Sequence, residues 1–293
     1  VLLCIASCDR VDYGDINVNP YASQEANVDA LLRAGTINYF TAGGRFYLSN
    51  ATLYSQYQSQ TQYTDEQRYN EAPGFWSNFY TSLVNLKAVA EAPNTDIRGD
   101  NSNMVAIAEL TSVLIWKKTT DSFGDIPYTE ALMQEENPSP AYTPQADIYA
   151  DLVARTIAAK QMLSASSFTV DADIIYGGNI SKWRKFANSM LMSLAMQMSK
   201  KDAATAISVF EAALADPSGP ITGNADSFVF VPDTAGNVTN PWSSLRPADF
   251  DLSRTLTDAM QGVAGGENVT NNTMVDVRLA EFSTGGLTGK GLV

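Results

Sequence analysis

The sequence predicts an all-α chain built from tetratricopeptide-like helix pairs, with loop-rich insertions and one or two short β-strands. Three observations predict it. Apolar residues recur at three- and four-residue spacing through most of the stretch 21–215. The helices so implied have comparable lengths and short connections, the pattern of antiparallel pairs stacked into an array. Strand signals are few and short. A strict repeat of about 34 residues, which would mark a regular array, does not occur.

The elements follow in order. Ser23 is placed to cap a first helix carrying Val28, Leu31, Leu32, Gly35 and Tyr39 on one face and ending near Gly43-Gly44. From Phe75 a second stripe runs through Trp76, Phe79, Tyr80, Leu83, Leu86 and Ala90, stopped by Pro93. A third begins at Asn101-Ser102-Asn103 and carries Met104, Ile107, Ala108, Thr111, Leu114 and Ile115. Thr143-Pro144 reads as a cap with proline at the first helical position, before the stripe Ile148, Leu152, Thr156, Ala159 and Leu163. The cleanest amphipathic pattern spans 181–200: Trp183, Phe186, Ala187, Met190, Leu191, Leu194 and Met198 on one side, Lys182, Lys185, Asn188 and Gln197 on the other. A sixth helix over 202–215 stops at Asp216-Pro217, and 227–231 (Ser-Phe-Val-Phe-Val) is the best strand. Beyond Gly262 only 275–282 offers apolar residues to bury.

Composition narrows the chemistry. The chain has 293 residues, of which 45% are hydrophobic, enough for a full core. Nineteen basic against 32 acidic residues give a formal charge of -13, a balance that repels a phosphate backbone and argues against nucleic acid as a partner. Histidine is absent, which removes imidazole acid–base catalysis, Ser-His and Cys-His nucleophile pairs and His-ligated metals. No metal-ligand spacing, phosphate loop or dinucleotide fingerprint is present, so neither metal nor cofactor is expected. Carboxylate pairs such as Asp121 with Asp125, Glu135-Glu136, and Asp171 with Asp173 read as solvated acids at helix ends and turns rather than a glycosidase pair. No catalytic residue is assigned.

Both cysteines, Cys4 and Cys8, lie at the start of the chain. The apolar run Val1-Leu2-Leu3-Cys4-Ile5-Ala6-Ser7-Cys8 is too short to cross a bilayer, which takes about 20 apolar residues. Ile5-Ala6-Ser7-Cys8 reads as a lipobox: an aliphatic residue, two small residues, and the cysteine that is acylated. The expected organisation is therefore a signal-peptide remnant over 1–8 with Cys8 the lipidation site, a polar linker over 9–20, and a single α-helical domain over 21–293, cut short at its C-terminus.

One segment stands apart from the helical pattern. Between Tyr54 and Gly74 the only aliphatic residue is Ala72, while Tyr54, Tyr57, Tyr63 and Tyr69 alternate with Gln56, Gln58, Gln60, Gln62, Gln67 and Asn70. Rings beside amides suit sugars, whose C–H faces stack on aromatics while their hydroxyls bond at the edge. Packing of these tyrosines against neighbouring helices is the alternative. Trp76 lies on its helix stripe and reads as core. Trp242, after Asn240-Pro241 in a polar stretch, is a second exposed-ring candidate. The methionines Met190, Met192, Met196 and Met198 read as core filler rather than ligands.

Several of these stretches, in the same order along the chain, resemble the SusD/RagB family of outer-membrane nutrient-binding lipoproteins. Asp121-Ser122-Phe123-Gly124-Asp125-Ile126-Pro127-Tyr128-Thr129-Glu130-Ala131-Leu132 is similar to its most recognisable stretch. Trp183-Arg184-Lys185-Phe186-Ala187-Asn188-Ser189 and Phe75-Trp76-Ser77-Asn78-Phe79-Tyr80 resemble two further signatures, and Asp276-Val277-Arg278-Leu279 a fourth, with Val where Pro is usual. The resemblance implies an all-α fold, lipid anchoring on the outer face of the outer membrane, and a SusC-like TonB-dependent transporter as partner. It implies a held oligosaccharide or, in some members, a peptide, and no catalysis. The residues of these stretches themselves read as structural: Gly124 and Pro127 shape a turn in which Asp125 can accept backbone N–H bonds, and Trp183 and Phe186 anchor the core. The ligand residues expected are Tyr57, Tyr63, Tyr69, Asn70 and Trp242. A helical-repeat scaffold whose ligands are other proteins is the alternative from a different class.

Overall fold

The computed structural model describes residues 27–42, 50–69, 76–92, 98–232, 238, 246–262, 276–278 and 282. Six long helices carry it: α1 (Val28–Ala42), α3 (Trp76–Ala90), α4 (Ser102–Phe123), α5 (Gln145–Met162), α6 (Ile180–Met198) and α7 (Ala203–Ala215). Two short ones, α2 (Ala51–Tyr54) and α8 (Arg254–Gln261), flank the remainder. The long helices pack as successive pairs, α1 on α3, α4 on α5, α6 on α7, and α4 touches both α1 and α6. The paired, tetratricopeptide-like stack read from the periodicity is the observed architecture.

The predicted stripes form its core. Phe79, Leu83 and Leu86 of α3, Met104, Ile107 and Ile115 of α4, Ile148 and Leu152 of α5, and Trp183, Ala187 and Leu194 of α6 are all buried. Each buried Leu, Ile, Phe or Met side chain among them contributes about 1.5–3 kcal/mol relative to exposure. Gly35 lets α1 approach α3: a Cβ there would stand 2.8 Å from Leu86 Cγ and 3.1 Å from the Ser82 carbonyl. Trp76 packs on the core edge-on to Phe123, as expected. Met190 is buried, but Met196 is 62% exposed and fills no core.

The turns show why the signature stretches have their composition. Gly124 ends α4 at φ 76°, a conformation that favours glycine. Asp125 then accepts from the Gln145 backbone N–H at 2.9 Å, so it caps α5 from twenty residues upstream. Thr143, predicted as that cap, instead bonds Thr129 through its hydroxyl, and Pro144 occupies the N-cap position. Ile126–Pro127 (β2) pairs antiparallel with Tyr142–Thr143 (β3) to close the loop. Trp183 and Phe186 are core residues, and the Trp183 indole donates to Asp173 at 2.7 Å. Asp173, expected from the sequence to be a solvated acid, is instead buried. It is 6% exposed and also accepts from the backbone of Ile175, Tyr176 and Gly178, which fixes the turn before α6.

Other expectations fail for identifiable reasons. Asn188, placed on the polar side of α6, is fully buried: it accepts from Lys160 and donates to Asp216 and the Gly219 carbonyl. The apolar face is wider than the stripe because the 216–219 turn folds over it. The stretch 227–231 pairs in no ladder among the described residues. Phe228 stacks on Phe186 at 4.5 Å, while Val229 and Val231 are exposed, so ring packing rather than sheet holds this segment. Val277 and Phe282 are likewise exposed rather than buried. Ser23 lies outside the described residues; Asn27 accepts from the Ala30 N–H at the start of α1.

Candidate functional site

The aromatic–amide segment folds as an open shelf beside the helical stack. It begins at α2, passes through a three-residue strand, Gln58–Gln60 (β1), and ends in a single turn of 3-10 helix, Glu66–Arg68. β1 pairs antiparallel with Phe250–Leu252 (β4), far along the chain, with Ser59 opposite Asp251. Around this ladder the backbone is tied closely. The Thr61 N–H donates to the Asp249 carbonyl at 2.8 Å, the Ser253 N–H to the Tyr57 carbonyl at 3.1 Å, and the Thr255 hydroxyl to Gln56 Oε1 at 2.9 Å. The Ser253 hydroxyl also donates to the Gln56 carbonyl and caps α8 at Leu256.

On this frame three of the predicted ligand residues face outward. Tyr57, Tyr63 and Tyr69 are 58%, 64% and 59% exposed. Tyr69 stacks on Tyr54 with centroids 5.4 Å apart, and its hydroxyl receives Gln56 Nε2 at 3.2 Å, so that ring is held from behind with its outer face open. Backbone conformation is part of the construction. Gln56, Tyr63 and Tyr69 have φ of 57°, 55° and 60°, the left-handed region, at a cost of about 1 kcal/mol each for non-glycine residues. Asn70, Trp242 and Cys8 lie outside the described residues.

The amides divide into two sets. Gln60 and Gln67 are buried beneath the shelf: Gln67 Oε1 accepts from the Gln60 backbone at 2.7 Å, and Gln60 Nε2 donates to Glu66 at 2.7 Å. Gln60 Oε1 and Gln67 Nε2 are buried with no hydrogen-bond partner among the described residues. These two build the shelf rather than line it, contrary to their expected place beside a ligand. Gln62 is exposed. Its carbonyl oxygen accepts from Arg246 Nη2 at 3.1 Å.

Arg246 is the residue that sequence reading missed. Its Nε and Nη2 donate to both oxygens of Asp249 at 2.9 and 2.8 Å, a fork in which Asp249 is nearly buried and the guanidinium is 61% exposed. The same guanidinium faces the Tyr63 hydroxyl, and the carboxylate of Asp249 holds it above its ordinary pKa. Only the β1–β4 pairing brings Arg246 to Tyr63, so nothing in its local sequence marks it.

A second polar constellation lies between α3, α4 and α5, where a cavity of about 450 Å³ is bounded by Lys87, Glu109, Tyr128, Asp151 and Arg155. Lys87 donates to the Leu132 carbonyl at 3.0 Å, and the other four groups satisfy one another. Arg155 donates to Glu109 through Nε and Nη2 and to the Tyr128 hydroxyl through Nη1, and Tyr128 donates to Asp151. Burial pushes the Tyr128 phenol upward, which keeps it protonated. The acids whose pKa values move, Glu130, Asp202, Asp216 and Asp276, are all lowered by hydrogen bonds, the direction opposite to that of a general acid. Among the described residues no cluster of three or more acids or cysteines could hold a metal, and no helix is long and apolar enough to cross a membrane.

Comparison with known proteins decides the family. The SusD-like family described as "Starch-binding associating with outer membrane" matches residues 20–265. The chain belongs to the SusD-like family. Solved structures similar to this SusD-like chain include a chitin-binding protein, 26% identical with a TM-score of 0.67, covering 83% of this chain and 54% of that one. A chitin-binding SusD homologue from Flavobacterium johnsoniae is 22% identical with a TM-score of 0.65, over 80% of this chain and 52% of that one. A SusD homologue from Bacteroides fragilis is 22% identical with a TM-score of 0.68, over 81% and 51%. The chain thus spans about half the length of these structures. No curated protein matches it.

Proposed function

We propose that this SusD-like chain is a non-catalytic glycan-binding subunit at the cell surface, anchored through Cys8 and a linker over 9–20, which passes oligosaccharide to a SusC-like TonB-dependent transporter. The observation that carries the glycan reading is the set of exposed rings Tyr57, Tyr63 and Tyr69 on a frame tied to β4 by backbone bonds that continue past both ends of the ladder. A core segment would turn such rings inward. A ring fixed in advance loses little entropy when a sugar stacks on it, so the strain at Tyr63 and Tyr69 is paid in folding rather than in binding. Asn70 and Trp242 extend the same proposal along the chain. Two of the similar structures are chitin-binding proteins, which makes β-linked amino-sugar polymers the first probes to try.

Calorimetric titration with chitin and starch oligosaccharides, and electrophoresis through gels containing the soluble polymers, test this reading. Retention without release of reducing sugar is the expected result. Sugar release would move the chain into catalysis, and indifference to every polymer would remove the glycan reading. A protein-contact role is favoured by the exposed Ile207 and Leu214, seven residues apart on one side of α7. Substitutions there should weaken transporter association and leave sugar affinity intact.

A further inference from the structure

We infer that the shelf selects uncharged glycans and rejects uronate- or sulfate-bearing ones, with the Arg246–Asp249 fork as the specificity-determining corner; this rests on the shelf being the glycan site. A guanidinium beside an exposed ring would ordinarily favour an acidic sugar, because a carboxylate would pair with it. Here both oxygens of Asp249 already occupy Nε and Nη2, and Gln62 takes a second bond from Nη2. The cation is neutralised in place. What remains of the exposed guanidinium faces the Tyr63 hydroxyl, and a corner so paired suits hydroxyl or ring oxygens, which hydrogen-bond without bringing charge.

The rest of the shelf points the same way. Over 50–69 and 246–262 the chain carries five carboxylates, three arginines and no lysine. Arg254 is itself placed against Asp258 at 3.5 Å. An anionic sugar therefore meets a net negative surface on a chain of formal charge -13, while a neutral one is indifferent to it. Two unbalanced charges about 8 Å from a bound carboxylate weaken it by about fivefold at low ionic strength, and salt screens the effect.

The test uses matched polymers on one backbone: glycol chitin against carboxymethyl chitin, and hydroxyethyl starch against carboxymethyl starch, by affinity electrophoresis at about 20 mM and 0.5 M salt. The neutral member of at least one pair should be retained about fivefold more strongly at low salt, with the gap closing at high salt. Asp249→Asn uncovers Arg246 and should raise retention of the carboxymethyl form by about threefold. Asp65→Asn, at an exposed acid outside the fork, should shift it the same way by a smaller factor, which keeps the test open if the first variant folds poorly. Equal or tighter binding of the carboxymethyl polymers at low salt would overturn the inference and leave the glycan site standing. Failure of both pairs to bind would overturn the glycan reading and the inference with it.

Discussion

Replacing Asp173 by alanine probes how one buried carboxylate organises the entry to α6. Its Oδ1 accepts from the Ile175 and Tyr176 N–H groups at 2.9 and 3.2 Å, and its Oδ2 from Gly178 and the Trp183 indole at 2.9 and 2.7 Å. The indole is fully buried and has no water to turn to. A buried donor left without its partner costs about 1–3 kcal/mol, and hydrogen bonds to a charged acceptor contribute about 1.5–3 kcal/mol each where no solvent replaces them. The backbone donors of the turn recover part of theirs from water, so Asp173→Ala should cost about 3–5 kcal/mol. At this chain length that lowers Tm by roughly 5–8 °C. Urea unfolding followed by circular dichroism and tryptophan fluorescence measures it. Trp183→Phe removes the indole donor while keeping a ring, so in that background Asp173→Ala should cost about 1–2 kcal/mol less. A loss below about 1 kcal/mol, or full additivity of the two substitutions, would refute the claim that Asp173 ties the turn to the indole.

Three further outcomes follow from the same geometry. Gly35→Ala puts a methyl 2.8 Å from Leu86 Cγ, so it should destabilise by about 1–3 kcal/mol despite the better helix propensity of alanine; a stabilised variant in urea would show that α1 and α3 can move apart freely. Asp125→Ala removes the carboxylate that caps α5 and should cost about 1 kcal/mol, whereas Thr143→Val should leave the α5 N-terminus intact; amide exchange at Gln145 distinguishes them. The bond from Lys160 holds Asp216 down at a pKa of about 2. A lowered folded-state pKa stabilises above the unfolded value near 3.8 and is lost as pH falls toward 2. Asp216→Asn should therefore flatten the acid limb of the stability profile by about 1–2 kcal/mol between pH 5 and pH 2, and parallel profiles for variant and wild type would count against the pair.

How much of this was legible depends on sequence distance. Stripes at helical spacing named the buried faces of α3, α4, α5 and α6, because that signal is local and survives any tertiary arrangement. What escaped is contributed from afar. The cap of α5 comes from Asp125, the polar cover of Asn188 from the turn at Asp216, and the partner of β1 from 250–252. β1 itself reads Gln-Ser-Gln, a poor strand former, while the β-prone stretch 227–231 lies in no described ladder. At the candidate site, the tyrosines were recognisable from the lack of aliphatic neighbours, and the structure places three of them outward. Arg246 was not recognisable. Its importance arises from a ladder joining residues nearly two hundred positions apart, which no local window contains.

In the proposed function the outward rings, rather than the helical core, would grip the glycan. The most direct measurement compares wild type with the Tyr57→Ala, Tyr63→Ala and Tyr69→Ala triple variant in calorimetric titration against the polymer the wild type retains, alongside circular dichroism and urea unfolding. Affinity should fall by at least about tenfold with helicity unchanged, since each lost stacking contact is worth about 0.5–1.5 kcal/mol. A folded triple variant that binds as tightly as wild type would mean that the sugar sits elsewhere.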